Sequence, residues 1–111
     1  MKKFRYSKVQ KEQAEEGAVN TTVRWLITKK IGAENFAMRM FEIKKKGYSP
    51  LHSHPWEHEV FVLEGKGVVR GGDSEEKISE GDVIFIPANE IHQLRCRGET
   101  LKFLCLIPYK E

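Results

Sequence analysis

Turn-forming residues recur at short intervals from Thr21 onward, and they leave little room for a long helix. Gly47 and Pro50 break one apolar run, Gly65-Lys66-Gly67 bends another, and Gly71-Gly72-Asp73-Ser74 reads as a tight hairpin. Glu80-Gly81-Asp82 and Pro87 bracket Val83-Ile84-Phe85-Ile86. Between these signals lie β-branched and aromatic runs at residues 22–28, 36–43, 59–64, 68–70, 91–96 and 101–107. The spacing predicts roughly eight or nine short strands and an all-β sandwich or barrel. In detail, residues 44–50 are expected to turn, 83–86 to form a buried strand, and 91–96 and 101–107 to form a last hairpin around Arg97-Gly98-Glu99-Thr100. Residues 1–20 are polar and without period. They are expected to form an N-terminal arm or short strand ahead of one β domain over residues 21–111.

The composition excludes several function classes. At 111 residues the chain suits one domain with its own core. Its net charge of +3 comes from 19 basic and 16 acidic residues, too mixed for the concentrated basic face of a nucleic-acid binder. Lys44-Lys45-Lys46 is read as a solvated turn. Two cysteines, Cys96 and Cys105, are too few for a disulfide framework. No segment has the length and apolarity of a membrane span. The start, MKKFRYSKVQKEQAEEG, is basic but has no apolar stretch behind it. These features lead us to expect a cytoplasmic protein with reduced thiols, binding neither nucleic acid nor membrane.

Three of the four histidines fall within HSHPWEHE at positions 52–59. Side chains alternate along a strand, so His52 and His54 share a face, and His58 has the same parity if the chain stays extended past Pro55. Three imidazoles converging on one side are candidate metal ligands, because neutral imidazole suits zinc, copper, iron and nickel; the alternative is surface histidines in a loop.

The fourth, His92, lies in a stretch that resembles the second cupin motif, G-x5-P-x-G-x2-H-x3-N. Gly81, Pro87 and His92 match; Asn89 stands where the second glycine is usual and Cys96 where the asparagine is usual. The earlier stretch resembles the first motif, G-x5-H-x-H-x(3,4)-E-x6-G, through His52, His54 and Gly65. Counted back from Gly65, the glutamate position holds His58. Glu59 is the other candidate, but its parity points it to the opposite face. The two motifs together span most of the chain. The closest resemblance is to the small four-histidine cupins of prokaryotes, which implies a jelly-roll barrel, a homodimer and a metal ion held by His52, His54, His58 and His92. The same resemblance implies Mn(II), with Fe(II), Ni(II), Cu(II) and Zn(II) as other occupants.

Four neutral ligands leave the ion's charge uncompensated, and on a six-coordinate ion they leave two positions open for a small-molecule substrate. Under the expected hairpin register Cys105 lies opposite His92, so Phe103, Cys105 and Ile107 face the ion; a one-residue slip substitutes Leu104 and Leu106. Arg39, in the middle of an apolar strand, is a candidate for gripping a substrate carboxylate. Trp56 is a candidate wall of the pocket mouth. The resemblance implies a metal-dependent oxidoreductase of the dioxygenase or oxidase kind. An isomerase or lyase, or a non-catalytic binding module, is the alternative. Glu57 and Glu59 are expected to face away, so no general base is evident, and an inward carboxylate would favour the isomerase or lyase.

Overall fold

The computed structural model describes residues 1–109. Its strands are β1 (Glu12–Gln13), β2 (Val19–Ile27), β3 (Phe36–Tyr48), β4 (His58–Gly71), β5 (Ser74–Ser79), β6 (Val83–Ile86) and β7 (His92–Pro108). They form one seven-stranded antiparallel sheet in the order β1-β2-β3-β7-β4-β5, with β6 paired to β4. Two short 3-10 turns, Tyr6–Lys8 and Lys29–Ile31, are the only helical pieces among the described residues, none long enough to cross a membrane. The all-β class is as expected, but the strands are fewer and longer.

Alternation along the strands builds the core. His58, Val60 and Val62 of β4 point inward while Glu59 and Phe61 point out. Ile43, Leu94, Leu101, Phe103, Cys105, Ile78 and Ile86 close on the same interior. The rings of Phe41 and Phe103 stack at 5.2 Å. Both cysteines are buried and free.

The expected final hairpin does not exist. Residues 92–108 form one long strand, antiparallel to β3 on one edge and to β4 on the other. Residues 97–100, taken for a loop, are an irregularity within it: β4 steps only from Gly65 to Gly67 while β7 runs from Leu101 back to Cys96. Running on gives both edges of β7 a long partner, where a hairpin would leave each half to pair with the other.

The expected turn at 44–50 is likewise strand as far as Tyr48, with a register shift absorbed between Lys44 and Tyr48 and Lys46 at φ 66°. Of the supposedly buried 83–86, only Ile86 is fully inside; Val83 is 75% and Phe85 57% exposed. The N-terminal arm is part of the sheet, since β1 pairs with β2 and β2 starts at Val19.

Gly65 shows why the motif needs a glycine there. Its φ is 94°, and a Cβ would sit 1.8 Å from the carbonyl oxygen of Thr100 in β7. Gly65→Ala should therefore lower stability by about 2 kcal/mol or more. Gly98→Ala, with open space around it, should stay within about 0.5 kcal/mol. Urea midpoints of both variants test this, and equal midpoints would contradict the close approach.

Candidate metal centre

Two backbone hydrogen bonds bring the distant histidine segments together. The His52 N–H donates to the carbonyl of His92 at 3.2 Å, and the His92 N–H returns to the carbonyl of His52 at 2.9 Å. The approach is stitched further by Ser49, whose N–H donates to Leu94 O and whose hydroxyl accepts from Leu94 N, each at 2.9 Å. Asn89 N–H donates to His54 O at 2.6 Å. Asn89 adopts φ 69°, which explains how it replaces the motif's second glycine: asparagine is among the few side chains that tolerate the left-handed region. His58 arrives from the start of β4, inward by alternation.

The result is a cluster of imidazoles. Ring centroids lie 4.3 Å apart for His52 and His54, 4.8 Å for His52 and His92, 4.7 Å for His58 and His92, and 5.3 Å for His54 and His58. His58 and His92 are buried, His52 and His54 half-buried. Burial and the neighbouring imidazoles and Arg39 push His58 down to about 3 and hold His52 and His54 below the usual histidine range. His92 Nδ1 lies 2.9 Å from the carbonyl of Glu90. A carbonyl only accepts, so Nδ1 is the donor in this contact, which leaves Nε2 as the nitrogen that could ligate an ion.

The donor chemistry fits a metal ion, although among the described residues the ligand atoms that lie within 4.8 Å of one another are those of His52, His54 and Glu15, and His58 and His92 join this group only as neighbouring rings. Neutral imidazoles are the protonation state that ligation requires, and His58 Nδ1 is buried without a hydrogen-bond partner. Glu59, the other candidate, is exposed on the outer face, where Glu57 and Glu59 line a separate hollow with Phe36 and Leu106.

The histidines share their pocket with Arg39, Phe41, Val60, Phe103 and Cys105. Cys105 and Phe103 face inward although the expected register was wrong: Cys105 is opposite Arg39 of β3 and Val60 of β4, and Gly71 is the β4 partner of His92. Ile107, expected beside them, packs against the same buried cluster but borders the separate hollow and not the histidine pocket. Arg39 Nη2 donates to Cys105 Sγ at 3.2 Å, and its guanidinium sits 4.9 Å from the Phe41 ring and 5.3 Å from that of Trp25. Burial raises the Cys105 thiol, so it stays protonated. Trp56 stacks on the pocket-lining His54 ring at 4.5 Å with the planes 6° apart. Glu15, which sequence reasoning missed, also lines the pocket, and its carboxylate lies near His52 and His54.

Residues 39–107 match the family model described as "Cupin domain". Among solved structures, the polyketide cyclase RemF from Streptomyces resistomycificus superposes with a TM-score of 0.93 at 38% identity, covering 99% of this chain and 80% of that one. A cupin 2 conserved barrel domain protein from Rhodopseudomonas palustris superposes with a TM-score of 0.79 at 30% identity, covering 93% and 70%. Among curated proteins, the DNA damage-repair/toleration protein DRT102 of Arabidopsis thaliana is 27% identical over 77 residues, 68% of this chain. That match spans 25% of the relative's length.

The folded value of His58 lies below that of the unfolded chain, so the unfolded state takes up the proton first. Its share of stability is complete above about pH 6.5 and is lost as pH falls toward about 3. In metal-free protein the loss should approach about 1.4 kcal/mol per pH unit from this ring. Urea denaturation between pH 7 and 4.5 should show a shallower pH dependence for His58→Gln than for the wild type; equal slopes would contradict the buried, neutral ring.

Proposed function

The chain belongs to the cupin domain family, and from that premise we propose that it is a metal-dependent enzyme acting on a small organic anion that carries a carbonyl group. The observation that carries the proposal is one small pocket holding both an imidazole cluster and the Arg39 guanidinium. His52, His54, His58 and His92 are the residues we assign to a divalent ion, Mn(II) by the family resemblance. Such an ion supplies Lewis acidity toward a carbonyl oxygen.

The chain's own groups do the rest. Arg39 brings a fixed positive charge, held between Trp25 and Phe41 and tied to Cys105, with its buried Nε left unpartnered. A guanidinium so placed suits a substrate carboxylate. Phe41, Val60 and Phe103 make the pocket apolar and strengthen the field of that charge. The Cys105 thiol, kept protonated, orients Arg39 and is not a nucleophile. The cavity holds about 40 Å³, room for a few waters, which favours a small substrate.

The similarity to a polyketide cyclase at 38% identity supports carbonyl activation without net oxidation. A second reading, a dioxygenase-like or oxidase-like oxidoreductase, rests on the imidazoles themselves. Neutral nitrogens do not offset the ion's charge, which favours its reduced state.

The two readings separate with Mn(II)-loaded protein and a 2-oxo acid such as pyruvate in deuterated buffer. Carbonyl activation predicts deuterium uptake next to the carbonyl, seen by NMR and unchanged without oxygen. Oxygen consumption coupled to substrate loss would favour the oxidoreductase. Arg39→Met should raise KM for the acid by roughly ten- to a hundredfold, as expected for a lost hydrogen bond to a charged group, about 1.5–3 kcal/mol. A neutral ketone should be affected much less; equal effects would remove Arg39 from substrate binding.

A further inference from the structure

The first motif lacks its carboxylate because His58 occupies that position. We propose that Glu15, on the connection between β1 and β2, supplies a carboxylate to the same ion from a different part of the chain, and that an anionic substrate displaces it. The proposal rests on the reading that the four histidines hold a metal.

The placement is structural. A carboxylate oxygen of Glu15 and one ring nitrogen each of His52 and His54 lie within 4.8 Å of one another. Atoms bound to one ion at about 2.1 Å lie roughly 3–4 Å apart, so rotation of the exposed glutamate closes the remaining gap. The connection is seated there by several contacts. Ala14 N–H donates to Thr21 O at 3.1 Å, and Ala18 N–H closes the turn on Glu15 O at 3.1 Å. Gly17 packs against Pro50, two residues before His52; a Cβ on it would meet Pro50 Cβ at 3.2 Å. Ala14 and Glu15 both line the pocket.

Charge supplies the reason. A divalent ion and Arg39 would put three positive charges in one half-buried, largely apolar pocket, with neutral imidazoles between them. Uncompensated charge there is costly. Glu15 is the acid whose carboxylate lies beside both His52 and His54. Lying at the surface, it can leave without unfolding anything, and a substrate carboxylate would replace it charge for charge.

The test is metal binding, not turnover. Mn(II) affinity of the full chain would be measured by calorimetry, and Co(II) loading by visible absorption, for the wild type, Glu15→Gln and the neighbouring Glu16→Gln. Glu15→Gln should weaken Mn(II) binding by about tenfold or more and change the Co(II) bands, while Glu16→Gln matches the wild type. Far-UV circular dichroism should be the same for all three. Wild-type affinity and an unchanged Co(II) spectrum in Glu15→Gln would overturn the role of Glu15 and leave the four-histidine reading intact. A wild-type chain that takes up neither ion would overturn both.

Discussion

The molecule depends on the double ladder of β7. One strand, His92–Pro108, pairs with β3 along one edge and β4 along the other, apart from residues 97–99, which neither register includes. Its inward residues, Leu94, Cys96, Leu101, Phe103 and Cys105, make up half of the ten-residue buried cluster. The same strand starts the site with His92 and floors it with Phe103 and Cys105. Core and pocket therefore share one backbone, and a shift of β7 by one residue would turn both inside out.

The site is where the structure departs from full polar satisfaction. Among the described residues, the buried side-chain atoms without partners are Arg39 Nε, Trp56 Nε1 and His58 Nδ1. Two belong to pocket residues and the third to the ring stacked on His54. An unpartnered buried donor or acceptor costs about 1–3 kcal/mol, and the other buried side-chain polar atoms of the described residues avoid that cost. That all three lie at or beside one pocket fits the ligand site proposed for it.

Much of this was legible in the sequence, for local reasons. Strand parity alone put His52 and His54 together, and Gly65 and Gly81 marked backbone with positive φ. Asn89 looked like a departure from its motif, yet it keeps the glycine's conformation. What could not be read was which strand pairs with which. Arg97-Gly98-Glu99-Thr100 has the composition of a turn, and only the long partners on either side of β7 keep it in a strand. Phe103 and Cys105 were still placed inward, because alternation survives a wrong choice of partner. Glu15 carried no signal at all. It follows no motif and no period, and tertiary contacts of its connection, the packing of Gly17 on Pro50 among them, bring it near the histidines.

Each of the chain's two tryptophans touches a pocket residue: Trp25 lies over Arg39 and Trp56 lies flat on His54. Indole emission responds to adjacent charge and to whether a neighbouring imidazole is free, protonated or bound. The protein thus contains its own optical reporter, with Trp56 coupled to the histidine side of the cavity and Trp25 to the Arg39 side. Single-tryptophan variants would separate the two signals and let events at the two ends of the pocket be timed independently, without a label.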